Sequence, residues 1–252
     1  NDNTCAQVYS NGSFTKVFPM PDKTGARVGQ TLTDFADDVG IPDTLVMDLA
    51  PEQAGKHTDM QSEARRLRVR IRFTEKGQSE QNHTAEGEIG QLKRRWKHRM
   101  TTRNVPRCLW DYGLVHEAEV LSILARGKDQ VPGLEKVLGQ TIDISEYLDF
   151  GIWDLVWYWD QSKTSDMSDE QKKLGRWLGI AHRVGSEMTY WILTEHCKVI
   201  ARSTVQHVLF ADLQQETVKA KAARFERLID ENLRGRETIV NVPNVFYLND
   251  EE

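Results

Sequence analysis

Thr44-Leu45-Val46-Met47-Asp48, with His83-Thr84-Ala85-Glu86 further along, is the stretch on which the fold of this chain turns. Four β-prone residues that end on an acid read as a buried strand whose last position opens onto Asp48. Gly40-Ile41-Pro42 ends whatever precedes it, and Ala50 to Thr58, rich in Pro, Gly and polar residues, reads as a loop. From about His83 to Met100 the spacing predicts a long helix. At about 100° per residue, Ala85, Ile89, Leu92, Trp96 and Met100 make one apolar stripe, while Glu86, Gly90, Lys93 and Lys97 make a second beside it. Glu86 and two lysines therefore share a face that borders the core.

Toward the N-terminus, Thr4 to Tyr9 and Phe14 to Met20 are short β-prone runs joined by Ser10-Asn11-Gly12-Ser13, and Asn-Gly is a strong hairpin signal. Thr24 to Val39 carries Val28, Leu32, Phe35 and Val39 at helical spacing. Toward the C-terminus, a helix over Asp59 to Leu67 precedes Arg68 to Thr74, whose alternation of Val69, Ile71 and Phe73 with arginines predicts a half-buried strand. Glu75 to Gln81 has no apolar period. Cys108 to Leu124 reads as a helix, Gly127 to Gly133 as a break, and Asp143 to Phe150 as a short helix that Asp143 can cap. Then the rhythm changes. Trp153 to Asp160, Gly175 to His182, Thr189 to Thr194 and Lys198 to Val208 predict the strands of a small antiparallel barrel, and five of the seven tryptophans fall there, read as core rather than as a stacking platform. A last helix, Gln214 to Leu233, stops at Gly235.

Composition narrows the function classes. The chain has 252 residues, 28% of them charged, and a net charge of −5, which disfavours a protein that simply coats nucleic acid. One basic surface stands out: Ile89 to Arg107 holds seven Lys or Arg residues and no acid. No run approaches the roughly 20 apolar residues of a membrane-spanning helix, so no membrane partner is expected. Cys5, Cys108 and Cys197 have neither zinc-site nor disulfide-framework spacing. No charged-then-apolar leader is visible, and an intracellular setting is the expectation.

The order hairpin, helix, strand ending in Asp, helix, strand, helix opening with Glu resembles an RNase H-like core. Gly40-Ile41-Pro42, Leu45-Val46-Met47-Asp48, Glu52-Gln53-Ala54-Gly55 and Asn82-His83-Thr84-Ala85-Glu86 further resemble the integrase core of copia-type long-terminal-repeat retrotransposons, in the retroviral integrase superfamily. Lys173-Leu174-Gly175-Arg176-Trp177-Leu178-Gly179 and Lys198-Val199-Ile200-Ala201-Arg202-Ser203-Thr204-Val205 are similar to the segment that follows it. The likeness runs from Asn1 to about Phe210. It implies an α/β fold: a truncated RNase H-like core, a mixed sheet flanked by helices, over residues 1–127; a linker with a short helix over 128–150; a small antiparallel β-barrel over 151–210; and a C-terminal helix with an acidic tail over 211–252.

The resemblance implies Mg²⁺-dependent (or Mn²⁺-dependent) 3′ processing and strand transfer, the DNA recombination by which a transposable element enters host DNA. In such chemistry two metal ions activate the attacking oxygen and stabilise the leaving one, and hard cations take oxygen ligands. Asp48 and Glu86 would each hold a metal, with 37 residues between them. Lys93, Lys97 and Arg94 would meet DNA phosphates, and Asn82 would cap the Glu86 helix or touch DNA. Taken alone, Asp48 is an ordinary turn residue and Glu86 an ordinary first-turn acid; order and neighbours favour the ligand roles. The family's third carboxylate, on its first strand, has no counterpart: Asp2 falls in a turn, and the zinc-binding N-terminal module is missing as well. Loss of that central strand would strip ladder hydrogen bonds from both of its neighbours. The expectation is an incomplete two-metal site, inactive as it stands. A non-catalytic DNA-binding or interaction remnant is the alternative. The implied partners are double-stranded DNA, both element ends and target, and further copies of the chain; the implied location is the nucleus or cytoplasmic element particles.

Overall fold

The Asn11 side-chain oxygen accepts from the backbone N–H groups of Ser13 and Phe14, at 3.1 and 2.8 Å, and Gly12 sits at φ +91°, where side chains are rarely accommodated. That turn joins β1 (Cys5–Ser10) to β2 (Thr15–Met20) in the expected antiparallel hairpin. The computed structural model describes residues 3–47, 58–74, 83–126, 128–160, 172–185 and 188–237, with side chains to Leu233. Asp48, Asn82 and Glu75 to Gln81 lie outside the described residues.

The chain forms two compact units, one from Asn1–Trp96 with Glu117–Ile142, the other from Lys97–His116 with Asp143–Val240. In the first, α1 (Gly25–Asp38), β3 (Thr44–Met47), α2 (Asp59–Arg66) and β4 (Arg70–Phe73) follow the hairpin. Thr58 caps α2, its hydroxyl accepting from the Gln61 N–H at 3.4 Å. Cys5, Tyr9 and Met20 from the hairpin, Leu32 from α1, Met60 from α2 and Met47 from β3 share one buried cluster, so α1 and α2 cover one face of these strands. α3 (His83–Thr102), α4 (Trp110–Ile123, after a 3₁₀ turn at Arg107–Leu109) and α5 (Gly133–Leu138) complete the helices that reach this unit. The Ser122 hydroxyl of α4 accepts from Thr15 N–H at 2.9 Å and donates to the carbonyls of Thr15 and Ala118 at 2.8 and 2.9 Å. Asn11 and Phe14 form a bonded pair, so Thr15 next to them turns its N–H and C=O away from β1, and α4 seats along that outer edge of β2. α5 follows directly on the stretch read as a break, and it seats against the hairpin turn because its first residue is glycine: a Cβ on Gly133 would lie 1.9 Å from the Ser13 carbonyl oxygen.

Among the described residues the strands of this unit form two pairs, antiparallel β1–β2 and parallel β3–β4, so antiparallel and parallel pairing are both present. The run into β4 alternates as its spacing suggests, Val69 buried and Ile71 half-buried between exposed arginines, while Phe73 at its end is exposed.

The second unit carries β5 (Leu155–Trp159), β6 (Lys172–Ile180), β7 (Tyr190–Leu193), β8 (Val199–Arg202) and β9 (Val205–His207), preceded by α6 (Ser145–Leu148) and followed by α7 (Phe210–Leu213) and α8 (Glu216–Glu237). The fourth expected strand is two, because at Ser203-Thr204 the chain leaves one edge of the sheet and joins the other. The expected barrel is, among the described residues, a five-stranded antiparallel sheet ordered β8-β7-β6-β5-β9. The sheet is nonetheless strongly curled. Its two edge strands are consecutive, so Arg202 and Val205 lie at most about 11 Å apart along the chain, whereas a flat sheet would hold its edges about 19 Å apart. Arg202 on β8 also donates to the Trp159 carbonyl of β5 at 3.2 Å. Trp153, Trp157 and Trp177 are buried and Trp191 half-buried, which is packing; Trp159 is exposed. α8 buries Phe225, Ile229 and Leu233 and ties to the sheet through Arg176, which donates to Glu226 at 2.6 Å. It continues through Gly235, past the expected stop.

Ser122→Ala leaves the buried Thr15 N–H without its acceptor, and it should lower stability by about 1–3 kcal/mol. Urea unfolding checks this; an unchanged midpoint would mean that the hydroxyl does not join α4 to the hairpin.

Candidate metal and nucleic-acid site

The elements that would carry the two acids do converge. β3 ends at Met47, the residue before Asp48, and α3 opens at His83, three residues before Glu86. Met47, Thr84 and Ala85 line one cavity of about 820 Å³ in the first unit, with β1 along its other side. Two segments far apart in sequence are thereby brought to one place. Glu86 is exposed in the first turn of α3, where the helix dipole favours a negative charge. Asp48 itself lies outside the described residues, as does Asn82.

The basic run divides by what each residue touches. The Arg95 guanidinium donates to the buried Glu117 carboxylate at 3.2 Å, joining α3 to α4, and Arg103 holds Asp154 at 2.6 Å. Both are structural cations. Lys93 is half-buried, and desolvation holds its ammonium below the usual lysine range. Arg94 and Lys97 are exposed, Lys97 at the start of the second unit. The stripe that carries Glu86, Gly90 and Lys93 borders the buried one of Leu92 and Met100, as its spacing predicts.

Two polar clusters escaped the sequence reading. Arg126 donates to Glu88, Gln91 and the Ser13 carbonyl, each at 2.9 Å, and so binds α3 to the hairpin turn. No pattern signals it, because its three partners come from separate elements. In the second unit Asp160 accepts from Lys173 at 2.5 Å and pairs with Arg202 at 3.7 Å, fixing one corner of the curled sheet.

Mg²⁺ requires hard oxygen donors. The carboxylates of Glu86 and Asp48 fit that requirement in kind, while among the described residues no group of three His, Cys, Asp or Glu could hold a metal ion.

No family model matches the chain, and no curated protein does. Solved structures similar to it include retroviral integrases. The catalytic core domain of BIV integrase is 13% identical over 53% of this chain and 84% of its own, with a TM-score of 0.43. A chain of the simian T-cell lymphotropic virus intasome in complex with PP2A regulatory subunit B56 gamma is 13% identical over 81% of this chain and 71% of its own, with a TM-score of 0.46. The HTLV-2 integrase catalytic core domain in complex with magnesium, in a trimeric form, is 11% identical over 53% of this chain and 91% of its own, with a TM-score of 0.41. At these values no residue's role is taken from them.

The depressed Lys93 ammonium makes a signed prediction. Its unfolded counterpart, near 10.5, binds the proton more tightly, so Lys93 should add stability as pH rises from its folded pKa toward the unfolded one. A ¹³Cε titration should find it below the other lysines; a midpoint at or above theirs would contradict the burial.

Proposed function

We propose that this chain is the integrase region of a copia-type retrotransposon polyprotein, a polynucleotidyl transferase by descent. Asp48 and Glu86 are its metal-ligating carboxylates, and Lys93, Lys97 and Arg94 its contacts to the DNA backbone. The observation that supports this best is the convergence of the Met47 end of β3 and the Thr84–Ala85 turn of α3 on one cavity. That convergence brings together the residues adjoining both acids.

When bound, Mg²⁺ would supply Lewis-acid stabilisation of the phosphoryl oxygens. The chain's own part is positional. β3 ends at Met47, the residue before Asp48, α3 carries Glu86 in its first turn, and Lys93 lies two helical turns along the same stripe. A lysine is a point charge that can follow a shifting phosphate, and one already partly desolvated gives up less water when it meets that phosphate. The curled five-stranded sheet of the second unit takes the place of a C-terminal module, with double-stranded DNA and further copies of the chain as partners. Asp48 and Glu86 are the carboxylates this reading assigns to metal, and the chain is expected to bind DNA without turning it over.

Three measurements test this. Mn²⁺ should broaden amide signals around Thr84 to Glu86, and Glu86→Gln or Asp48→Asn should each abolish the effect; broadening indifferent to both would sink the metal assignment. In low salt the chain should retard duplex DNA, and Lys93→Ala and Lys97→Ala should each reduce the salt slope by about one. Strand transfer of a terminal-repeat oligonucleotide should be undetectable. Activity lost with Asp48→Asn would show a complete site instead.

A further inference from the structure

β4 and the turn before it carry a charge pattern that the candidate site does not use. From Ala64 to Thr74 there are five arginines, Arg65, Arg66, Arg68, Arg70 and Arg72, and no acid, in a chain whose net charge is −5. All of them are exposed. The Glu63 carboxylate accepts from Arg66 at 2.7 Å, while among the described residues no ion pair or hydrogen bond engages the guanidinium groups of the other four. Arg70 and Arg72 alternate with Ile71 and Phe73, so they share one face of β4, about 6.6 Å apart. Across the parallel register they stand beside Thr44 and Val46, both exposed. The opposite face is the covered one. Met47 belongs to the buried cluster of Leu32 and Met60, and Leu45 and Ile71 pack against it.

The backbone of β4 is engaged on one side only. Arg70 N–H donates to the Asp43 carbonyl and Thr74 N–H to that of Met47, both at 3.1 Å. Bonding residues alternate along a parallel ladder, so Arg70, Arg72 and Thr74 turn their groups to β3, and on β3 Thr44 and Val46 turn theirs toward the cavity. Ile71 and Phe73 point their N–H and C=O groups to the far edge, where no strand pairs with β4 among the described residues. The Phe73 side chain is 36% exposed.

An edge of this kind selects its partner. A second copy of β4 would set arginine against arginine, which is unfavourable directly across a pair and keeps edges apart. Phosphates can meet the guanidinium groups, but they only accept hydrogen bonds, so a nucleic-acid backbone leaves the outward carbonyls of Ile71 and Phe73 unmatched. A peptide strand has donors and acceptors in the alternation that β4 has, and its side chains recur at the spacing of Arg70 and Arg72. Acids opposite the two arginines would match charge on one face, and apolar residues opposite Ile71 and Phe73 would cover Phe73 on the other.

We infer that the outer edge of β4 is a docking site for an extended segment of a partner protein in which acidic and apolar residues alternate, added to β3–β4 as a third strand.

Hydrogen exchange on the full chain tests this with an acetylated, amidated heptapeptide of sequence EVEIEVE. Exchange at Ile71 and Phe73 should slow by about tenfold, with Arg70, Arg72 and Thr74 unchanged because they already bond to β3. The peptide EEVIVEE has the same composition and charge without the alternation, and it should give no protection. Arg70→Glu together with Arg72→Glu alters only exposed side chains, so the fold should hold while protection passes from EVEIEVE to KVKIKVK. Equal protection by EVEIEVE and EEVIVEE would overturn the inference in favour of unspecific attraction. Protection by a single-stranded oligonucleotide in place of the peptide would assign the face to nucleic acid instead. Slow exchange at Ile71 and Phe73 before any peptide is added would mean that the chain or a second copy already holds the edge, which overturns the inference as well. DNA retardation by the Lys93 and Lys97 variants reports on the proposed function separately, and neither result decides the other.

Discussion

A β-strand has hydrogen-bonding groups on both edges, and the first unit is organised by how far that demand is met. β1 gives one edge to β2 and β3 gives one to β4; the remaining edges meet a cavity. Water can satisfy such groups at a surface, but it does nothing for the apolar walls that Phe35, Met60 and Ile89 present beside them. The helices pack as though around a larger sheet. α1 and α2 close one face through Leu32 and Met60, α4 holds the outer edge of β2 through Ser122, and Arg95 with Glu117 ties α3 to α4.

This explains which parts of the fold could be read in the sequence. Elements defined by local period or local chemistry were legible: the Asn11-Gly12 turn, α1 from Val28, Leu32 and Phe35, β3 up to Met47, and α3 with its two stripes. Features that depend on distant partners were not. The run into β4 alternates as a half-buried strand should at Val69 and Ile71, yet Phe73 is exposed because burial depends on neighbours that alternation does not specify. Ser203-Thr204 carries no Gly or Pro to announce that the chain leaves β8 for the opposite edge at β9. α5 follows a stretch that reads as a break, and it is held by a glycine against the Ser13 carbonyl, a contact that no local pattern encodes.

The candidate site divides in the same way. The positions of Glu86 and Lys93 on one stripe follow from helical geometry and were available from spacing alone. That Arg95 and Arg103 are structural cations was not, because Glu117 and Asp154 lie 22 and 51 residues away. A run of seven basic residues thus resolves into ion pairs, a partly desolvated lysine and exposed cations such as Arg94 and Lys97. Net basicity overstates the surface left for phosphate.

The cavity and the candidate site meet at β3, whose last described residue is Met47. Met47 is held by Thr74 on one side, while Val46 turns its backbone groups toward the cavity. A strand held along one edge has a softer end than one held along both, because local opening then breaks half as many ladder bonds. A carboxylate at that end, if it is to take part in a metal site built to a fraction of an ångström, needs the stiffer arrangement. The Thr74 N–H on the Met47 carbonyl is therefore what holds the last described residue of β3.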